Sequence, residues 1–270
     1  MKKVIIIGGG AAGFFTAINA KEMNPSLEIT ILEKGKEVLQ KVKISGGGRC
    51  NVTHACFEPK ELVKFYPRGE KELLGPFHQF MTGDTMEWFE NRGVPLKVED
   101  DNRVFPTSHS SQSIIDCVLG EVKRLVITVK KNCGVTEITK ISEKWQLKTS
   151  FGNLEADAVI VASGSSKLVW GMLDKLGHRI IEPMPSLFTF NTKDTRLRDL
   201  SGLVAASVEV KINGTKLKER GPLLVTHWGM SGPAILKLSS VGARMLHEKQ
   251  YKFSISVDWC FEYDEEDVRE

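Results

Sequence analysis

The stretch that most constrains the fold of this chain runs from residue 4 to residue 33. An apolar run, Val4 to Ile7, is followed by Gly8-Gly9-Gly10-Ala11-Ala12-Gly13, and a second apolar run ends at Glu33. An unbroken run of β-branched residues is typical of a parallel strand that is buried on both faces. The pattern therefore predicts a strand, a glycine turn, a helix over about residues 11–23 and a second strand.

The glycines of this stretch fit the G-x-G-x-x-G pattern of dinucleotide-binding turns. We expect Gly8 to allow the tight turn, Gly10 to admit a pyrophosphate, and Gly13 to let the helix pack close to the strand. Ala12 lies in the first turn of that helix, where free N–H groups and the helix dipole favour phosphate. An ordinary α/β turn, a signal peptide and a membrane helix are the alternatives. The three consecutive glycines, the short length and the lack of an A-x-A cleavage pattern argue against the last two.

An acid follows the second predicted strand at the distance that the same fold requires. Glu33 lies 20 residues after Gly13. There a carboxylate would accept hydrogen bonds from the ribose hydroxyls of the dinucleotide. Because an acid suits a 2′-hydroxyl better than a 2′-phosphate, the position favours FAD or NAD over NADP.

A second glycine-rich stretch begins at Ser45 and reads Ser-Gly-Gly-Gly-Arg-Cys-Asn. Three successive glycines expose backbone N–H groups that suit a phosphate or a flat ring, and a linker would not carry Arg-Cys-Asn immediately afterwards. Two interpretations of Cys50 stay open: nearby cations could make its thiol reactive, or the side chain could simply pack. The predicted cofactor residues of this loop are Gly46, Gly47, Gly48, Arg49, Cys50 and Asn51.

Composition limits the class of protein. The 270 residues allow one large or two moderate domains, and the apolar and charged fractions are those of a soluble globular protein. The net charge of +3 and the absence of a dense basic run do not favour a nucleic-acid surface. The densest basic group, Lys34, Lys36, Lys41, Lys43 and Arg49, follows the dinucleotide motif and is better explained as a phosphate neighbourhood. Five scattered cysteines without a C-x-x-C suit the reducing cytoplasm and do not indicate a metal site.

Taken together, these motifs resemble those of a known protein family. The glycine turn, Leu32-Glu33-Lys34, the Gly-Arg-Cys-Asn loop and a later stretch, Thr226-His-Trp-Gly-Met-Ser-Gly-Pro233, resemble a bacterial family of FAD-dependent oxidoreductases. The best-described members of that family resemble the flavoprotein reductases of gut bile-acid dehydroxylation. The matches extend to about Ser240, and the glycine loop is the most specific of them.

The resemblance implies an FAD-binding domain with a particular order of elements. Residues 134–156 are predicted to form a three-stranded meander, and residues 157–162 an apolar strand that ends in Ala-Ser-Gly. By resemblance, Val135 would lie near the adenine, and Ser163 and Gly164 would let the backbone approach the cofactor. Lys34, which directly follows the predicted ribose-binding acid Glu33, is also a predicted cofactor residue. The family's glycine-rich S-T-G-D-G segment is missing after Gly164.

The composition changes at Pro183-Met184-Pro185-Ser186, which we take as a stiff linker. We expect an FAD-binding domain over residues 1–186 and a smaller, mostly antiparallel β domain, inserted into it, over residues 187–270. The fold class is thus α/β, a Rossmann-like domain with a meander plus this inserted domain. The family's chain returns to the FAD domain afterwards, and this sequence stops without that return, so we expect a fragment whose FAD retention is in doubt.

The leading functional hypothesis is an FAD-dependent oxidoreductase that reduces an unsaturated, apolar small molecule with NADH or NADPH as a transient donor. His227 and Trp228 are the best candidates for residues that face the substrate, although His227 could equally satisfy backbone groups at a helix start. A flavin-fold binding protein without catalysis, an FAD-dependent RNA-modifying enzyme and a single-domain NAD dehydrogenase are the alternatives. We expect no nucleic acid or membrane partner, and the sequence indicates no oligomeric state.

Overall fold

The computed structural model describes residues 1–261 of the chain. The chain divides into two compact units, Met1–Ile180 and Ile181–Glu270, each with its own apolar core. The predicted domain boundary at residues 186 and 187 lies slightly further along the chain. The acidic stretch at residues 262–270, noted in the sequence, lies outside the described residues.

A four-stranded parallel sheet forms the centre of the first unit. Its first strand, β1 (Lys3–Ile7), is linked to β2 (Glu28–Leu32) by the predicted helix, α1 (Ala11–Met23). The other two strands are β6 (Thr128–Lys130) and β10 (Ala158–Val161). The order is β10-β1-β2-β6, and every neighbouring pair is parallel. The Rossmann-like expectation is therefore confirmed.

Helices pack on this sheet through their apolar faces. Phe14, Ala17 and Ile18 of α1 are fully buried, and α6 (Ser111–Arg124) buries a stripe with helical spacing against them. Ser110 caps α6, since its hydroxyl accepts a hydrogen bond from the Gln112 amide. The sequence predicts a strand at Leu125–Val129. In the structure the strand begins later, at Thr128, because a left-handed turn at Val126 follows the helix.

A small antiparallel sheet and several short helices lie between β2 and α6. Its strands are β3 (Thr53–His54), β4 (Leu96–Val98) and β5 (Arg103–Pro106), in the order β3-β5-β4. The helices of this region are α2 (Gln40–Ile44), α3 (Pro59–Leu62), α4 (Glu70–Phe77) and α5 (Thr82–Glu90). The apolar spacing of the sequence predicts a helix from Met81 to Asn91, ending before Gly93, and α5 lies close to this range.

The predicted meander follows β6. It consists of β7 (Val135–Ile141), β8 (Lys144–Thr149) and β9 (Gly152–Ala156), paired antiparallel in that order. Strand β10 then enters the parallel sheet next to β1. The first unit closes with α7 (Lys167–Lys175), whose Val169 and Met172 are buried in the core beside Ile5 and Ile7.

Up to residue 261, the second unit contains a five-stranded antiparallel sheet and two α-helices. Its strands are β11 (Phe190–Asn191), β12 (Val204–Ile212), β13 (Lys218–Thr226), β14 (Gly229–Ser231) and β15 (Ile255–Asp258), in the order β11-β14-β13-β12-β15. The antiparallel character is as predicted, and the Asn213-Gly214 turn joins β12 to β13. The sequence predicts one helix that begins at Pro233 and continues towards Leu246. In the structure this helix divides at Gly242 into α8 (Pro233–Val241) and α9 (Ala243–Glu248).

None of the helices within residues 1–261 combines the length and the hydrophobicity that crossing a bilayer requires.

Candidate cofactor site

The glycine turn between β1 and α1 is built by close backbone packing. A Cβ atom added to Gly13 would lie 2.0 Å from the carbonyl oxygen of Gly8, so only glycine lets the helix approach the turn. Gly8 has a φ of +120°, and a Cβ there would lie 2.4 Å from the carbonyl oxygen of Ala162. Both glycines therefore serve the roles that the sequence pattern assigns to them.

The start of α1 presents free hydrogen-bond donors. The backbone N–H groups of residues 10–13 have no hydrogen-bond partner among the described residues, and no side chain caps the helix. A Cβ added to Gly10 would meet no atom within 4 Å. The space in front of these donors is therefore open, which is the condition for an anion to approach a helix N-terminus.

The Glu33 carboxylate links the glycine turn to the loop that follows β2. One of its carboxylate oxygens accepts a hydrogen bond from the Gly9 amide at 2.9 Å, and the other accepts from the Gly35 amide at 2.7 Å. Each oxygen keeps acceptor capacity for a ribose hydroxyl. The sequence pattern gave no role to Gly9, but a Cβ there would lie 2.9 Å from the Cβ of Glu33.

The second glycine loop forms a tight turn over Ser45–Gly48. Gly46, Gly47 and Gly48 all have positive φ, between +56° and +84°. A Cβ on Gly46 would lie 2.7 Å from the Asn51 nitrogen and 2.9 Å from the ring of Phe105, whereas Gly47 and Gly48 face open space. Gly46 thus packs the loop onto β5, and the next two glycines leave its outer surface accessible.

Arg49 does not point freely into the cofactor region. Its guanidinium pairs with the Glu99 carboxylate at 2.7 Å and stacks over the Phe105 ring at 4.0 Å. The prediction that Arg49 balances phosphate or flavin charge stays a prediction, and the structure adds that its charge has a partner in Glu99. Glu99 lies 50 residues away in the sequence, so no local pattern could have indicated it.

Cys50 and Asn51 end the loop in different ways. Cys50 is buried, and burial raises the pKa of its thiol, so the side chain packs as a neutral group at neutral pH. This favours the packing interpretation over the reactive one. The Asn51 amide nitrogen, when oriented to suit its surroundings, donates to the carbonyl oxygens of Thr53 and Val104. Its side-chain oxygen is then left available to a ligand.

The remaining predicted residues lie beside these loops. The Cys133 amide donates to the Glu33 carbonyl, and the Asn132 amide donates to that of Gly35, which brings the start of β7 and the buried Val135 next to Lys34. Ser163 follows Ala162, and its Cα would lie 3.0 Å from a Cβ on Gly8. Gly164 has a φ of +57° in the same turn. These segments therefore converge at the carboxyl ends of β1, β2 and β10, where open α/β sheets bind ligands.

The amino-acid sequence matches the model of a known protein family. Residues 2–250 match the model described as the HI0933-like protein Rossmann domain. The chain belongs to this family. HI0933-like proteins of this group include FAD-dependent oxidoreductases, which is the family that the sequence motifs resemble.

Two curated relatives of this HI0933-like chain are enzymes with different named substrates. It is 27% identical to the ribosomal RNA dihydrouridine synthase of Escherichia coli (strain K12) over 247 residues, 87% of this chain and 60% of the relative. It is 24% identical to the 3-dehydro-bile acid delta(4,6)-reductase of Clostridium scindens over 279 aligned positions, 100% of this chain and 67% of the relative. The chain thus spans about 60% of the length of the E. coli relative. Among solved structures, it aligns with the open conformation of a flavocytochrome c3 fumarate reductase at a TM-score of 0.49, 16% identity, 76% of this chain and 47% of that chain.

The site of this HI0933-like chain suits the family's cofactor. FAD needs donors for a pyrophosphate and an acceptor for a ribose, and the free amides of residues 10–13 and the Glu33 carboxylate supply them. The open space at Gly10, Gly47 and Gly48 leaves room for a cofactor to contact the backbone there. The residues that sequence reasoning missed, Gly9, Glu99 and Phe105, all act by holding these loops in place.

The family signature at residues 226–233 lies in the second unit, and its glycines have packing roles. A Cβ on Gly229 would lie 2.0 Å from the Phe190 carbonyl oxygen, and one on Gly232 would lie 2.8 Å from that of Pro222. His227 and Trp228 form the turn between β13 and β14, exposed, with their ring centroids 3.8 Å apart. The helix start forms no hydrogen bond with His227 among the described residues.

A cavity of about 980 Å³ also lies in the second unit. Its walls come from residues 185–200 and 251–259, together with Met230, and they include the aromatic rings of Phe188, Phe190 and Phe253. None of the predicted cofactor residues lines it, and all of its lining residues belong to the second unit.

Proposed function

We propose that this chain provides the FAD-binding part of a flavin-dependent reductase that saturates a conjugated carbon–carbon double bond in an apolar small molecule. The observation that carries the proposal is the glycine turn, with its unpartnered amides and the Glu33 carboxylate beside them. Both curated relatives are named for products or substrates of double-bond reduction, one in a bile acid and one in ribosomal RNA.

The residues of the chain have binding and positioning roles in this proposal. The amides of α1 bind the pyrophosphate, Glu33 accepts the ribose hydroxyls, and the loop at residues 45–51 and the turn at Ser163 and Gly164 lie along the cofactor. When bound, FAD supplies the redox chemistry by taking a hydride from a nicotinamide and passing it to the acceptor. His227 and Trp228 are proposed to contact the substrate, because both side chains are exposed and neither makes a hydrogen bond within residues 1–261.

A uracil base in RNA is the second candidate acceptor, and it is favoured by the identity to the E. coli dihydrouridine synthase. The two candidates share the reaction and differ in the acceptor. The small net charge of +3 offers little electrostatic attraction for RNA, which is why we place the small molecule first.

An absorption spectrum tests the proposal. The purified chain is incubated with FAD, desalted, and mixed anaerobically with NADH or NADPH. We expect retained flavin bands that bleach with one of the two donors and recover when a 4,6-unsaturated 3-oxo steroid is added. Recovery with a uridine-rich ribosomal RNA fragment instead would favour the second candidate. A protein that holds no flavin would contradict both and leave the binding-protein alternative.

A further inference from the structure

We propose that Lys41 binds the pyrophosphate of FAD, an inference that rests on the proposed function. Lys41 is one of five basic residues that follow the dinucleotide motif, and sequence alone does not distinguish it from Lys34, Lys36 or Lys43. The structure distinguishes Lys41 from these lysines by its position and by the hydrogen bond of its ammonium to Ser165.

The backbone near Lys41 is fixed to the glycine turn. The amide of Leu39, two residues before Lys41, donates to the carbonyl oxygen of Gly9 at 2.8 Å. The Leu39 side chain is fully buried in the core of the first unit. Helix α2 therefore begins next to the turn that carries the unpartnered amides, and Lys41 lies in its first turn.

The side chain of Lys41 reaches the third cofactor segment. Its ammonium donates to the Ser165 hydroxyl at 3.3 Å, across 124 residues of sequence, and lies 3.7 Å from the position of a Cβ on Gly164. The turn at residues 163–165 is itself next to Gly8. The ammonium is thus held between two loops that meet the glycine turn, and no other lysine of the basic group has a side-chain hydrogen bond within residues 1–261.

Lys41 is a better candidate phosphate ligand than Arg49, because the charge of Arg49 is compensated by a carboxylate and that of Lys41 is not. The Arg49 guanidinium is paired with Glu99 and stacked on Phe105. Lys41 is exposed, and no carboxylate among the described residues lies within ion-pair distance of it; its partner is a neutral hydroxyl. An unmatched positive charge beside free backbone donors forms a site for a doubly charged pyrophosphate.

The test compares ligands that contain or lack the pyrophosphate. Calorimetry on the full chain measures dissociation constants for FAD, ADP and adenosine in the wild type and in Lys41→Met, Lys41→Arg and Lys43→Met. Lys43 is the matched control, because it lies on the same helix, is exposed, and its ammonium has no partner within residues 1–261. Loss of a charge-assisted contact should weaken FAD and ADP about tenfold in Lys41→Met, with adenosine unchanged.

Three further results complete the experiment. Lys41→Arg should retain most of the affinity, Lys43→Met all of it, and the salt dependence of FAD binding should be shallower in Lys41→Met. FAD and ADP affinities within twofold of wild type in Lys41→Met would overturn the inference alone, as would an equal loss for adenosine. A wild-type chain without affinity for FAD or ADP would overturn the proposed function as well. If Lys41→Met fails to fold, Lys41→Gln is measured and judged by the same limits.

Discussion

At the scale of single residues, Gly10 and Gly13 of the glycine turn have different roles, one in ligand access and one in packing. Gly13 is required by packing, since a Cβ there would lie 2.0 Å from the Gly8 carbonyl oxygen, whereas Gly10 has open space around it and an ordinary extended backbone with φ of −98°. Gly13→Ala should therefore destabilise the fold by about 1–3 kcal/mol, because the helix has to move away from the turn. Gly10→Ala should change stability by less than about 1 kcal/mol and yet weaken FAD binding, because its methyl group occupies the ligand's space.

The measurements at this scale are urea unfolding without cofactor and FAD titration for each variant. Gly120→Ala serves as a control, because Gly120 lies within α6 and a Cβ there meets no atom within 4 Å. It should raise stability slightly and leave FAD affinity alone. Equal losses of stability in Gly10→Ala and Gly13→Ala would refute the division of roles.

At the scale of elements, the small sheet β3-β5-β4 holds the second glycine loop. Phe105 of β5 is fully buried under Gly46, and Glu99, in the β4–β5 hairpin, pairs with Arg49. Glu99→Gln removes the charge partner of Arg49, so FAD affinity should fall severalfold as the loop loses its anchor. The free energy of unfolding should fall by only about 1 kcal/mol or less, because both side chains are partly exposed.

A neighbouring acid of the same hairpin provides the control for Glu99. Asp101 pairs with Arg103 at 2.7 Å and does not contact Arg49. Asp101→Asn should leave FAD affinity unchanged while altering the hairpin's charge by the same amount. If Asp101→Asn weakens FAD as much as Glu99→Gln does, general electrostatics rather than the loop anchor is responsible.

The elements also show which parts of the fold sequence could reveal. The glycine turn, α1 and the Asn213-Gly214 hairpin depend on local backbone requirements and on neighbouring residues, so they could be read directly. The pairing of β3 with β5 joins residues 49 and 51 apart, and short strands carry little periodicity, so the sequence does not predict this sheet. The Arg49–Glu99 ion pair could not be predicted for the same reason, because Glu99 lies in the hairpin that joins two strands of that sheet. The break at Gly242 was missed because the apolar periodicity continues across it into α9.

At the scale of the whole molecule, the chain consists of two units with separate cores. The predicted cofactor residues all fall within the first unit, Met1–Ile180, whereas the family signature at residues 226–233 falls within the second. Between the two cores, residues 179–187 are exposed, lie outside every helix and strand, and form no hydrogen bond with another described residue. Proteases prefer exposed segments whose backbone is not tied into secondary structure.

Limited proteolysis with trypsin should therefore divide the chain in this segment, by a cut after Arg179. Because residues 10–13, Glu33 and the loop at 45–51 remain in one piece, we expect the N-terminal fragment to retain FAD on gel filtration, with the fragments identified by mass spectrometry. Loss of flavin on cleavage would mean that cofactor retention depends on the second unit. Early cleavage within the parallel sheet instead would contradict the division into two cores. Retained flavin that NAD(P)H no longer bleaches would assign donor or substrate access, but not FAD binding, to the unit that carries His227 and Trp228.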